Sequence, residues 1–332
     1  MNKKEFSPRA VTILGKLSQS TIGFLLLFVV LFGAILSSQT NNFLTAYNIG
    51  IIFKQMSFFG IAALGQTLVL IIAGIDLSIG STACLSGIFF ALCMTRTNMN
   101  PILAIVICVL IGCVIGYFNG FIITKLKLTP FIVTLAVSGI CSGFVLVITE
   151  GHTISGITGN VLAIGQGMIG SIPIPILIFL FLTALFAYIL KCTPFGRELF
   201  AIGGNAAAAK LVGIKVEQKT RLVYLLSGML SAFGGIMTAC RYNSGQPTIG
   251  GTWVMSAITA AVIGGTSMSG GIGTVIGTLV GALLMQLLSN SIVMLNVSQY
   301  WEQVMIGGVV LIAVVIDAVR TISRNKALAS GK

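Results

Sequence analysis

Residues 191–221 read KCTPFGRELFAIGGNAAAAKLVGIKVEQKTR, the one long polar interval inside an otherwise oily chain. It carries Lys191, Arg197, Lys210, Lys215, Lys219 and Arg221 against only Glu198 and Glu217. Thr193 to Arg197 reads as a turn, since Pro194 and Gly196 punctuate it. Asn205 can then cap a helix over Ala206 to Val212 that Gly213 closes. An Asn side chain accepts from the orphan N–H groups of a first turn, and Gly tolerates a left-handed exit. On composition alone the interval is a short helix held outside a membrane or a solvated loop kept on one side by its charge.

On either side of this interval the composition excludes a soluble globule. Of 332 residues 56% are hydrophobic and 8% charged, with a mean hydropathy of +1.05, which leaves too little polar surface to coat a domain of that size. The chain therefore reads as an all-α polytopic membrane protein, one membrane domain over 1–332 with 191–221 as a loop within it. A net charge of +12 would point to nucleic acid in a soluble protein, but here the charges lie between apolar runs and set topology instead. The seven cysteines contain no C-x-x-C and fall mostly inside apolar runs, which indicates neither zinc nor a disulfide framework. The basic start, Met1 to Ser20, precedes an apolar run with no small-residue cleavage site, so that run is expected to be a retained helix.

At about 20 apolar residues per crossing, spans are expected near 20–38, 48–73, 77–95, 101–124, 130–149, 172–190, 222–240, 252–264, 272–295 and 299–319. About ten spans put both termini on one side. If that side is cytoplasmic, it holds Lys3, Lys4, Arg9, Lys16, Lys125, Lys127, the six basic residues of the central interval, Arg320, Arg324, Lys326 and Lys332. That is 16 of the 19 Lys and Arg, with only Lys54, Arg96 and Arg241 left over, a strong positive-inside bias. The far side then gains Glu150 to Ser171, a Gly-rich loop without a Lys or Arg.

Two spans are irregular. Residues 48–73 run into Gly74-Ile75-Asp76-Leu77-Ser78-Ile79-Gly80-Ser81 with almost no loop, and 252–264 is too short to cross. Both imply broken or half-depth helices, which are tolerated only where protein or a watery cavity satisfies the backbone. An offset of 170 places Ile79, Gly80, Thr82, Ser86, Ala91 and Ile102 on Ile249, Gly250, Thr252, Ser256, Ala261 and Ile272, and Gly65 on Gly235. The expectation is an inverted repeat, spans 2–5 against 7–10, whose Gly-rich joints at 74–82 and 245–252 flank a solute pathway from its two ends. Gly74, Asp76, Ser78, Gly80, Gly245, Gln246 and Gly250 are its candidate pathway and hinge residues.

The sequence resembles, over nearly its whole length, the membrane-spanning permease subunits of ribose-, xylose-, arabinose- and galactose-type ABC importers. The likeness rests on Thr193-x-x-Gly196-Arg197, Ala201-Ile202-Gly203-Gly204-Asn205, Ala208-Ala209 and Gly213-Ile214-x-Val216, which look like that family's coupling loop, and on Gly74-Ile75-Asp76-Leu77-Ser78-x-Gly80. One departure is Ala206 and Ala207, where the family often carries acidic residues. The resemblance implies that Gly196, Arg197, Gly204, Asn205, Ala208, Ala209, Gly213 and Ile214 dock into a groove of a separate ATPase subunit that holds ATP and Mg. It also implies two permease copies, or a paralogous pair, and a periplasmic or lipid-anchored sugar-binding protein. The location would be the bacterial inner membrane, with both termini cytoplasmic and lipid around the helices. The solute would be a monosaccharide, pentose or hexose. Permeases for branched-chain amino acids or nucleosides share the architecture and remain the alternative. An ion-coupled secondary transporter is disfavoured, because Asp76 stands nearly alone where a proton relay wants a chain of acids or histidines.

The remaining polar residues each carry two readings. Asp76 can cap the helix that follows it or contact solute. Gly112, Gly116 and Gly120, and likewise Gly273, Gly277 and Gly281, form smooth stripes for packing within the chain or for a seam between copies. Gln66, Asn119, Gln286 and Asn290 can hydrogen-bond between helices or meet a sugar. His152 has no second ligand nearby in the sequence, so no metal site is expected. There is no G-x-x-x-x-G-K-[ST], no nucleophile elbow and no H-E-x-x-H, so neither nucleotide binding nor catalysis is expected of this chain.

Overall fold

The structure, a computed structural model, describes residues 21–40, 42–97 and 99–329. Lys3, Lys4, Arg9, Lys16 and Lys332, which entered the charge count, lie outside the described residues, as do the side chains of Arg320, Arg324 and Lys326. The fold is all-α. The chain runs through α1 (Thr21–Gln39), α2 (Ala46–Ile71), α3 (Ile79–Arg96), α4 (Pro101–Leu126) and α5 (Pro130–Thr149). After strand β1 (Ile154–Ser155), the short α6 (Ala163–Gln166) and the hairpin β2 (Met168–Ile169) and β3 (Ile172–Pro173) comes α7 (Ile174–Cys192). Then follow α8 (Pro194–Gly204), α9 (Ala206–Leu211), α10 (Val216–Tyr242), β4 (Ser244–Gly245), α11 (Trp253–Ile263), α12 (Val275–Met294) and α13 (Trp301–Ala329). Among the described residues eight helices, α2, α3, α4, α5, α7, α10, α12 and α13, are long and apolar enough to cross a membrane. The chain is a multi-pass membrane protein.

Local chemistry sets the ends of these helices. Thr45 accepts the Asn48 N–H at the start of α2, and Asn100 accepts that of Ile102 at the start of α4, where Pro101 loses nothing because its missing N–H would have been an orphan. Lys127 ends α4 and Glu150 ends α5 in left-handed conformations, with φ of 53° and 50°. Apolar α11 has only 11 residues, about 16 Å at 1.5 Å per residue, roughly half of a bilayer core.

Inside a bilayer there is no water to drive helices together, so close packing and hydrogen bonds between helices carry the assembly. Helix α10 runs through the middle, with Tyr224, Leu230, Ile236 and Met237 buried. The first glycine stripe lies against it. A Cβ on Gly112 would strike Gly228 O, one on Gly116 would strike Tyr224 O, and one on Gly120 would come within 2.7 Å of Arg221 Cα. In the second stripe, Gly277 and Gly281 press on Gly264 O and Ala260 O at and beyond the end of α11. Both stripes are used in packing within the chain, which is the first of the two readings. Helices α4 and α5 instead turn Val106, Leu110, Val114, Leu135, Phe144 and Val147 outward, an apolar surface suited to lipid.

One reading of the central interval is corrected. Thr193 to Arg197 is not a turn but the start of α8, an 11-residue helix. Thr193 caps it, accepting the Gly196 N–H at 3.4 Å, and Pro194 takes the first helical position. Pro and Gly act here as a helix start, because the first turn needs no Pro N–H and Gly196 fits tightly against the Leu190 backbone.

Candidate functional site

The candidate residues fall into two groups, the joints that link α2 to α3 and α10 to the half-depth α11, and the helical pair α8–α9; against expectation, α2 is an unbroken helix of 26 residues. In the first joint the chain leaves α2 through Ala73, at φ 59°, with Ala73 N donating to Leu70 O and Gly74 N to Val69 O. The extended segment that follows is tied on both sides. Leu77 N donates to Thr134 Oγ1 of α5 at 3.0 Å, and the Tyr224 hydroxyl of α10 donates to Ile75 O at 3.3 Å.

Asp76 is 1% exposed. Its Oδ1 accepts from Ser78 N at 2.9 Å and from Ser78 Oγ at 2.6 Å, and its Oδ2 from Ser227 Oγ of α10 at 2.8 Å. Asn119 Nδ2 of α4 completes the set by donating to Ser78 Oγ at 2.9 Å. The capping expectation holds only in altered form. The carboxylate closes a turn on the N–H two residues ahead, before α3 begins at Ile79, and it accepts from none of that helix's own N–H groups. Its larger role is to bind the joint to α10, which no local sequence pattern announces.

The second joint follows α10. Asn243 ends the helix at φ 53°, and β4 pairs antiparallel with β1, Gly245 opposite Ile154. Gln246 Nε2 donates to Ser244 Oγ at 3.2 Å, and Cys84 Sγ of α3 lies 3.5 Å from Gln246 O. The chain then turns through Gly250, at φ 82°, into α11. There the two joints touch. A Cβ on Gly80 would overlap Gly250 O, and a Cβ on Gly250 would overlap Gly80 O. The expectation that the joints stand at opposite ends of a pathway is therefore corrected: they cross at a single point, because only two glycines allow two backbones to come that close.

The other group lies where α2 ends. Leu199 and Ile202 anchor α8 in the core, while Arg197 is exposed. Gly203 sits against Ile71 O, and Gly204 lies 3.0 Å from the Cβ position of Gly271. Asn205 Oδ1 accepts the Ala208 N–H at 3.0 Å, which starts α9, and Gly213, at φ 89°, ends the turn that follows it. Ala209 is buried and Ala208 exposed, and Ile214 N closes back on Ala209 O at 3.1 Å. Ion pairs Lys210–Glu217 (2.8 Å) and Lys219–Glu198 (2.6 Å) fasten both short helices to α10. Leu211 and Val212 stand 88% and 78% exposed at the tip. Two aliphatic side chains so placed form a small exposed apolar tip on a charged loop, which the sequence does not announce because they sit in a row of ordinary helix formers.

Of the buried polar residues, Asn119 bonds to Ser78, Asn290 exchanges two hydrogen bonds with Asn48, and Gln286 donates to Gln55 at 2.7 Å. Gln66 differs: it is wholly buried, with neither amide atom paired. Among the described residues no group of three or more His, Cys, Asp or Glu is placed to hold a metal ion.

Residues 48–314 match the family described as branched-chain amino acid transport system / permease component. The chain belongs to this family of permease components. It is 40% identical to the ribose import permease protein RbsC of Bacillus subtilis, over 89% of this chain and 91% of that one. It is 39% identical to RbsC of Haemophilus influenzae, over 86% and 89%. The galactose/methyl galactoside import permease protein MglC of Haemophilus influenzae is 34% identical over 92% and 95%. No solved structure matches the chain.

Proposed function

We propose that this chain is the membrane-spanning permease subunit of an ATP-driven ABC importer that carries a monosaccharide, pentose or hexose, through the bacterial inner membrane. The observation that carries this reading is its 34 to 40% identity to ribose and galactose import permeases, spread over about nine-tenths of their length. In this reading two copies, or one copy and a paralogue, form the membrane unit. A separate subunit holds ATP and Mg, and a periplasmic or lipid-anchored binding protein delivers sugar at the β1–β4 end. Both termini are cytoplasmic, on the side of α8 and α9.

In this reading force follows a defined route. A pair of short helices, stiffened by Thr193, Asn205 and two ion pairs, presents Leu211 and Val212 to the ATPase. Gly203 of the same pair rests on the last residue of α2, three residues before Gly74. Movement of α8 is thereby handed to the joint that Asp76 ties to α10. No solute contact by α8 or α9 is required.

The test is uptake in proteoliposomes holding the chain with its partner ATPase and binding protein. Labelled ribose, galactose and xylose are compared with leucine, the solute class that the family description names. ATP-dependent uptake of a sugar is expected. Uptake independent of ATP, or uptake of leucine and no sugar, overturns the reading.

A further inference from the structure

At the β1–β4 end of the bundle, α2, α10, α11, α12 and the start of α13 line a partly open cavity of about 230 Å³. That is below the roughly 300–1,000 Å³ typical of drug-sized ligands and suits one small solute. Its walls combine Gln55, Gln286, Ser289 and Glu302 with the rings of Phe59 and Trp253. By contrast, the groove of about 630 Å³ between α3, α4 and α5 is lined by Leu, Ile, Val, Phe and Cys side chains alone. Gln286 Nε2 donates to Gln55 Oε1, which leaves Gln286 Oε1 to accept and Gln55 Nε2 to donate. Glu302 has no cationic partner among the described residues. Hydroxyl groups both donate and accept, so they suit amides and a carboxylate, while an aromatic ring covers the apolar C–H face of a sugar.

A second observation points inward from this cavity. Gln55, Phe59 and Gln66 share one face of α2 at helical spacing, and Gln66 is the buried amide with no partner. Thr82 Oγ1 and Ser86 Oγ of α3 are also buried and unpaired. Ala63, Ile79 and Ala257 pack together, and helical spacing puts Gln66 and Thr82 one turn, and Ser86 two turns, from that meeting point of α2, α3 and α11, which adjoins the cavity wall at Ser256. Buried polar groups without partners are costly, and a passing polyol would satisfy them in turn.

We propose that the cavity is a transient monosaccharide site inside the single permease chain, the first station of a polar track that continues to Gln66. This rests on the sugar-import reading above.

The chain has two tryptophans, so Trp301→Phe leaves Trp253 as the sole reporter. Purified Trp301→Phe permease titrated with D-ribose or D-galactose should show a saturable fluorescence change that leucine does not produce. Gln286→Ala should weaken that response about tenfold. In proteoliposomes of the full transporter, Gln286→Ala and the cavity-filling Ser289→Phe should each lower sugar uptake about tenfold, while binding-protein-stimulated ATP hydrolysis persists. If the wild-type complex imports sugar and both variants, monodisperse in detergent, import it equally well, the site is wrong and the function stands. If Trp253 responds to no sugar that the wild-type complex imports, the site is likewise wrong. Should either variant fail to fold, the other variant and the titration decide. If the complex imports leucine and no sugar, the function fails and the sugar site with it.

Discussion

Gly80 and Gly250 meet backbone to backbone, the carbonyl oxygen of each filling the volume that a Cβ on the other would need. These are the two residues that the offset of 170 superposes. A two-fold axis relating the halves of the chain would have to pass between them. Whatever moves one joint must therefore be felt by the other without an intervening side chain.

Alanine at either glycine should be costly for different reasons. Gly80 has an ordinary φ, so Gly80→Ala suffers only overpacking, about 1–3 kcal/mol. Gly250→Ala suffers the same overlap and adds about 1 kcal/mol for its φ of 82°. Gly251→Ala is the control: its nearest neighbour, Thr248 O, lies 3.5 Å from the Cβ position, so a change within about 0.5 kcal/mol is expected. Thermal melting of the detergent-purified chain reads all three. Leucine at 80 or 250 should also abolish transport, and equal melting of the three alanine variants would show that the contact carries no strain.

Helices α4, α5 and α7 were legible because their apolar runs have the length of a crossing and carry a Pro in the first turn. Asn205 and Gly213 announced α9 by the chemistry of caps. Helix α8 was missed because Thr193-Pro194-Phe195-Gly196 carries turn residues that also serve as a helix start, and only the fit of Gly196 on Leu190 decides between them. The Ser227–Asp76 bond spans 151 residues, and Ser227 is one small polar residue among many in apolar helices. An offset between two joints shows equivalence, not contact. The Gln55–Gln286 pair was half legible: Gln286 stood out in its span, while Gln55 was hidden beside Lys54 near the start of α2.

Asp76 offers a separation of geometry from charge. Asp76→Asn keeps an oxygen for Ser78 N and Oγ and turns its amide toward Ser227 Oγ, which can accept as readily as donate. Melting should stay within about 1 kcal/mol of the wild type. Asp76→Ala leaves three donors unpaired and should cost roughly 2–4 kcal/mol. Transport by a stable Asp76→Asn chain identifies a positional role, and loss of transport at unchanged stability identifies a role for the charge.

Orientation in the membrane is open to direct test, because the two chosen positions, Thr158 and Gln218, are both exposed in the fold. A cysteine at 158, in the loop that carries β1, should react with an impermeant maleimide in intact cells. A cysteine at 218, in the first turn of α10, should react only after permeabilisation. The reverse pattern would place α8 and α9 outside, beyond the reach of any ATPase.

The sharpest test of coupling lies at Gly213, where space and backbone geometry can be told apart. Nothing lies within 4 Å of its Cβ position, yet its φ is 89°. A side chain would therefore have room, and any penalty comes from the left-handed exit that brings Ile214 N onto Ala209 O. Asn tolerates that region and a β-branched residue does not. Gly213→Asn should keep uptake near the wild-type rate. Gly213→Val should disorder the exit of α9, shift Leu211 and Val212, and leave ATP hydrolysis running with uptake reduced about tenfold or more. Because the site is exposed and lies beyond the last turn of α9, the melting temperature of the purified permease should move little in either variant. Uptake and ATP turnover that remain matched in Gly213→Val would show that this exit does not transmit force, and the docking assignment for α8 and α9 would fall with it.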